Sequence, residues 1–201
     1  GEFDQIYHEH MFYFSALSIS ALMQKFDFEL LDFFHSPVHG GSGIFMCGKK
    51  GRHTPNASVQ DAVDKERSAF QENKIFHDFK VKIESNKIKA MELIQEERRQ
   101  GHVVGAYGAP AKAFTVFSYY ELDDSSIAFC IDTSPTKIGK VFPTFNIPIL
   151  SEEALNELEY NTLLINAWNY KEDIVKKASS IFKKGTKLIF LIPDLEVHIV
   201  K

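Results

Sequence analysis

Val103-Val104-Gly105-Ala106-Tyr107-Gly108-Ala109-Pro110-Ala111-Lys112 is the stretch on which the fold turns. Residues 103–107 form a short apolar strand, a glycine follows, and residues 109–120 read mainly as helix. At such a strand-to-helix turn, glycines let the backbone approach an anion, and the helix start supplies unpaired amides. The spacing Gly105-x-x-Gly108-x-x-x-Lys112 fits neither a dinucleotide fingerprint nor a Walker loop. A tight turn that needs glycine fits the spacing equally well. Lys112 tips the balance toward an anion, because an ammonium one turn into the helix can pair with a phosphate.

Downstream, strands and helices alternate. Residues 127–132 read as a strand and 147–149 as a short extended piece, and Ser151-Glu152-Glu153 is a helix-capping signal. Residues 163–166 are a strand, 171–183 a helix and 186–192 another strand. Helices between strands imply right-handed crossovers, so residues 102–201 are expected to form a Rossmann-like α/β lobe around a parallel sheet. Ligands of such sheets gather at the carboxyl ends of the strands. Asp132 ends one strand and is placed to meet a ribose or sugar hydroxyl, or to cap the turn Asp132-Thr133-Ser134-Pro135. Asn166, with Trp168 and Asn169, follows the next strand end. The tryptophan ring reads first as a core anchor.

Upstream, residues 58–100 are helical, and the long charged second helix (78–100) ends with Arg98 and Arg99 ahead of Gly101. The polar, proline-containing stretch 52–58 marks 52–101 as a helical linker region. Before it come a serine-capped helix (15–26) and two strands (28–34 and 43–47). One helix with two adjacent strands reads as the close of a larger sheet. Between the strands, His39-Gly40-Gly41-Ser42 either sets an imidazole beside a substrate or simply connects the strands.

With 44% hydrophobic residues and 18 Phe, 201 residues can build a substantial core. A net charge of −4 argues against nucleic-acid or anionic-membrane partners. No apolar run approaches the ~20 residues of a membrane helix, and a cytoplasmic location is expected. Cys47 and Cys130 sit in apolar runs and read as reduced, buried thiols without zinc spacing. No metal site is expected within the chain. His35, His53, His77, His102 and His198 have no partner pattern and read as surface or capping residues.

Tyr7-His8-Glu9-His10, followed by Met11-Phe12-Tyr13-Phe14, carries the strongest chemical signal. Imidazoles beside a carboxylate and a phenol can move protons near neutral pH. Combined with the Gly108 loop, the cluster points to proton chemistry on a phosphorylated small molecule. That it follows directly on Gly1-Glu2-Phe3-Asp4 leads us to expect part of a longer protein.

Phe3-Asp4-Gln5-Ile6-Tyr7-His8-Glu9-His10, Tyr13-Phe14-Ser15 and Pro37-Val38-His39-Gly40-Gly41-Ser42 resemble the sugar C-methyltransferases. Gly108-Ala109-Pro110-Ala111-Lys112, Asp132-x-Ser134-Pro135-x-Lys137-x-Gly139-Lys140 and Ala167-Trp168-Asn169-Tyr170 resemble their C-terminal domain. Those enzymes use S-adenosylmethionine to methylate carbon 3 of nucleotide-linked 4-keto deoxysugars. The resemblance implies His10 as general base, Glu9 as its orienting partner and Tyr7 as donor to the enolate oxygen. It further implies that the C-terminal lobe, through the Gly108–Ala109 loop and Lys112, holds the diphosphate of a nucleotide sugar or shapes the cleft. His39, Asp132 and Asn166, from their positions in the sequence, complete the expected substrate contacts. Residues 1–51 would be the tail of the methyl-donor domain. The zinc cysteines and acidic-glycine cofactor loop of the family are not in this sequence, so zinc and most S-adenosylmethionine contacts are expected elsewhere. Ala113-Phe114 is more apolar than the smaller, polar residues expected there. Alternatives are a non-catalytic nucleotide-sugar-binding or assembly module, and a methyltransferase of this fold with a non-sugar acceptor. Oligomeric state stays open.

Overall fold

A computed structural model describes residues 2–38 and 41–201. The chain divides into two compact units, residues 10–80 and residues 1–9 with 81–201.

The smaller unit opens with helix α1 (Ala16–Gln24), where the serine cap is a full capping box. The Ser15 hydroxyl accepts from Ser18 N–H, and the Ser18 hydroxyl accepts from Ser15 N–H. Strands β1 (Phe28–Ser36) and β2 (Ser42–Lys49) form an antiparallel hairpin from Phe28↔Lys49 to Ser36↔Ser42, with a register shift between Leu30 and Asp32. Helix α2 (Ala57–Gln71) brings Glu66 to the start of α1, where its carboxylate accepts from the amides of Ala16 and Leu17 at 3.1 and 2.7 Å. A negative charge is favoured at that helix end. The core is small: Ala16, Leu30, Val59 and Val63 are buried together. Helix α3 (Lys74–Arg99) starts four residues earlier than the pattern of charges implies, and from Val81 on it counts with the other unit.

That unit contains β3 (Val104–Tyr107), α4 (Ala111–Tyr120), β4 (Cys130–Ile131), β5 (Ile149–Leu150), β6 (Thr162–Ile165), α5 (Lys171–Ile181), β7 (Lys187–Phe190) and β8 (Glu196–Ile199). The sheet order is β5-β4-β3-β6-β7-β8. Counted along the lobe this is 3-2-1-4-5-6, the doubly wound Rossmann order. The first five strands pair in parallel, as expected. The edge strand β8 is antiparallel to β7 and was not anticipated. Its Glu196-Val197-His198-Ile199 alternation is only four residues long, too short to separate from a loop. Two further differences are local. Strands β4 and β5 hold two residues each, and the Ser151 side chain makes no cap bond ahead of Glu152–Asn156, which is a five-residue 3₁₀ stretch.

The sheet is covered on both faces, so its strands are apolar runs rather than alternations. Val104, Ala106, Leu163, Leu164, Leu188 and Ile189 are all buried. Helix α4 buries Ala113, Val116, Phe117 and Tyr120. Gly105 is a packing glycine, because a Cβ there would lie 2.6 Å from the Phe129 ring. No described helix is long and apolar enough to cross a membrane.

Candidate functional site

The strand order reverses between β3 and β6, which creates a switch point at the carboxyl ends of these strands. Four of the expected contact residues converge there. Gly108 follows β3 with φ +88°, and a Cβ would approach that of Ala167 to 3.3 Å, so the turn calls for glycine on both conformational and steric grounds. Its carbonyl accepts from the Asn166 amide at 2.8 Å. Its own N–H donates to the Ile131 carbonyl at 2.7 Å. Ala109 N–H donates to Asp132 Oδ2 at 2.7 Å, while Asp132 Oδ1 accepts from Ser134 N–H at 2.8 Å and closes the following turn. Lys137 stands 3.4 Å from the same carboxylate. The loop is thus held by its own neighbours, with a carboxylate beneath it.

Lys112, one turn into α4, takes a partner the sequence did not announce. Its ammonium lies 3.3 Å from Asp4 Oδ2, donates to Asn169 Oδ1 at 3.2 Å and sits 4.2 Å from the centre of the Trp168 ring. Trp168 in turn donates its indole N–H to Asp4 Oδ2 at 2.6 Å. Asp4 is fully buried, and its Oδ1 has no hydrogen-bond partner among the described residues. The tryptophan is therefore both the core anchor expected and a hydrogen-bond donor.

A cavity of about 450 Å³ opens beside the loop, lined by Tyr7, His8, Pro110, Phe114, Val141 and Phe142 among others. Its size falls in the range of small-ligand sites. Tyr7 and His8 bring polar groups to walls that are otherwise apolar. The two rings meet edge to face with centroids 6.2 Å apart, and His8 Nε2 lies 4.0 Å from the Glu9 carboxylate. Tyr7, His8 and Glu9 belong to the larger unit; His10 is exposed and begins the smaller one. His39 lies outside the described residues.

Two nearby groups are poor reactants. Burial, and then the negative charge of Asp132, raise the Cys130 thiol pKa far above neutrality. Burial, followed by the hydrogen bond to Glu152 at 2.8 Å, does the same for Tyr107. Both stay protonated at neutral pH. Among the described residues, no group of three or more His, Cys, Asp or Glu side chains could hold a metal ion.

At the opposite, amino-terminal edge of the sheet, His102 does have a partner, unlike the capping role expected. Buried Glu97 accepts from Thr162 Oγ1 at 2.7 Å and Lys187 Nζ at 2.5 Å, and its Oε2 lies 3.0 Å from His102 Nδ1. Burial pushes its pKa up, but the hydrogen bonds from Lys187, Thr162 and His102 outweigh that and hold it below the ordinary carboxylate value.

Comparison with known proteins adds family information to this geometry. A family model described as the C-methyltransferase C-terminal domain matches residues 37–193. The C-methyltransferase NovU of Streptomyces niveus is 31% identical over 199 residues, which cover 98% of this chain and 47% of that relative. The chain thus spans about half the length of the curated relative it matches.

Proposed function

Because this chain belongs to the C-methyltransferase C-terminal domain family, we propose that it is the acceptor-binding part of an S-adenosylmethionine-dependent, cytoplasmic C-methyltransferase. Its acceptor is a nucleotide-linked deoxysugar, methylated at a carbon beside a ketone. The observation that carries this reading is that Tyr7 lines the same cavity as Ala109, Pro110 and Ala111 of the switch-point loop. The phenol of the proposed catalytic cluster and an α/β ligand end thereby share one hollow.

A proton beside a ketone can be removed if a base is well placed and the enolate oxygen is stabilised. His10 takes that proton, leaving the electron pair delocalised onto the ketone oxygen. Glu9 orients the imidazole, and the Tyr7 hydroxyl donates a hydrogen bond to the enolate. The Gly108–Ala109 loop, Asp132 and Asn166 bound the place of the nucleotide sugar, and Lys112 shapes its wall through Asp4. His39, outside the described residues, keeps only the substrate role expected from the sequence.

The switch-point loop does not fit S-adenosylmethionine. The Gly105 side of the loop is filled by the Phe129 ring, and the amides of Gly108 and Ala109 are used by Ile131 and Asp132. In this reading residues 1–51 close a methyl-donor domain, 52–101 link it to the lobe 102–201, and cofactor and zinc sites belong to other parts of the protein. Titration of this chain with S-adenosylmethionine should give no binding; micromolar binding would overturn the assignment.

The central test is solvent deuterium exchange at the carbon beside the ketone, in the full-length enzyme without methyl donor. His10→Asn should slow exchange by about 100- to 10,000-fold, the usual loss when a general base is removed. Tyr7→Phe should cost less, because water can replace one donor. Near-normal exchange in His10→Asn, with loss in Tyr7→Phe, would transfer the base role to the phenol.

A second reading, a non-sugar acceptor, is favoured by the apolar walls at Phe114, Val141 and Phe142. Exchange with a simple apolar ketone but not with a nucleotide ketosugar would select it. Absence of exchange with either would leave a binding or assembly module.

A further inference from the structure

We propose that Asp4 is a positioning residue: its buried pair with Lys112 and Trp168 locks the segment carrying Tyr7 onto the lobe. The segment is fastened at three successive points. Phe3 packs on Tyr119 with ring centroids 4.8 Å apart, Asp4 reaches Lys112 and Trp168, and the Ile6 carbonyl accepts from Thr115 Oγ1 at 3.3 Å. All three lie ahead of Tyr7, which then emerges at the cavity beside the first turn of α4.

The middle fastening is the unusual one. A fully buried carboxylate is costly unless its charge is paired and its oxygens are hydrogen-bonded. Asp4 meets the first condition and only half the second, since Oδ1 is without a partner among the described residues. Apolar side chains of similar volume often hold such a place at no loss of stability. The pair does something a greasy contact could not: it fixes one geometry among three separate pieces of chain. Those pieces are the 3₁₀ turn Phe3–Gln5, the start of α4 at Lys112, and the 3₁₀ turn Trp168–Tyr170 after β6. Two of them leave the very strand ends that form the switch point. Asp4 therefore ties the position of Tyr7 to the ligand end of the sheet. The catalytic consequence rests on the function proposed above; the lock itself does not.

The test uses the full-length protein and hydrogen exchange followed by mass spectrometry. Asp4→Asn keeps size and an oxygen for the indole but removes the charge. It should speed amide exchange in residues 3–9 by about tenfold or more, while β3, β6 and β7 keep their rates. Lys112→Met should do the same, and the double variant should add little to either, because both break one contact. In the deuterium-exchange assay, Asp4→Asn should lower kcat about tenfold with KM and the pH profile unmoved, since the base is intact. Asp4→Glu should restore part of the loss. Unchanged exchange of residues 3–9 in both single variants would overturn the lock, as would equal acceleration in every strand. An enzyme lacking ketone-side exchange even as wild type would overturn the proposed function, while protection of residues 3–9 would still decide the lock.

Discussion

The two edges of the six-stranded sheet each bury a carboxylate, and they treat it differently. At the amino-terminal edge, both oxygens of Glu97 are matched, by Lys187 on one side and by Thr162 and His102 on the other. At the carboxyl-terminal edge, Asp4 shares one oxygen between Lys112 and Trp168 and leaves the other without a partner among the described residues. Buried polar networks rigidify when fully satisfied and are costly when they are not. The difference separates an edge built to hold the sheet together from an edge where order is spent on placing residues. The cavity lies at the second, as expected where α/β sheets take their ligands.

Substitutions can break this contrast. Glu97→Ala should cost the most stability, about 3 kcal/mol by denaturant unfolding, because it strands Lys187 and Thr162 with nothing to bond. Exchange protection of residues 3–9 should survive it; loss of that protection would show that the two edges are not independent. The same carboxyl predicts an acid response. Its pKa is lower in the folded state, so its contribution is present above the ordinary carboxylate range and is lost as pH falls through the folded value. Glu97→Gln should flatten the decline of Tm with acidification, and an unchanged slope would remove Glu97 from the explanation.

Smaller effects belong to the other edge. Gly108→Ala, forced to φ +88° with its Cβ against Ala167, should cost about 1–2 kcal/mol and should weaken nucleotide-sugar binding more than it lowers Tm. A variant with wild-type affinity would make Gly108 a structural glycine only. Smallest of all, Lys87→Ala removes a salt bridge to the exposed Glu121 and should move Tm by no more than about 2 °C.

Much of the lobe was legible because its signals are local. Glycine after Tyr107, the helix behind it, and Asn166 at the end of an apolar run each declare themselves within a few residues. The two loop glycines also teach a limit. Gly105 makes room for Phe129 and Gly108 takes a left-handed turn, so both glycines have a packing or conformational reason and their spacing alone does not identify an anion site. Lys112 looked like a phosphate partner for the same local reason. Asp4, the partner it has, contacts a tryptophan 164 residues away in sequence, and no periodicity or spacing carries that information. The catalytic reading came from the Tyr7–His10 cluster and its resemblance, not from the fold. Strand β8 was missed because four residues are too few to show a period.

The sheet order has a bearing on how the protein is made. Strand β3 is the earliest of its lobe to be synthesised, yet it lies inside the sheet, between β4 and β6. On one side it can be covered early, but on the other it pairs with β6, across contacts such as Val103 to Asn161, 58 residues apart. At roughly 5–20 residues per second, translation leaves that edge of β3 bare for some seconds. An apolar strand with unpaired amides is what other chains add to. During that interval the nascent protein, rather than the finished one, is the species in need of a chaperone.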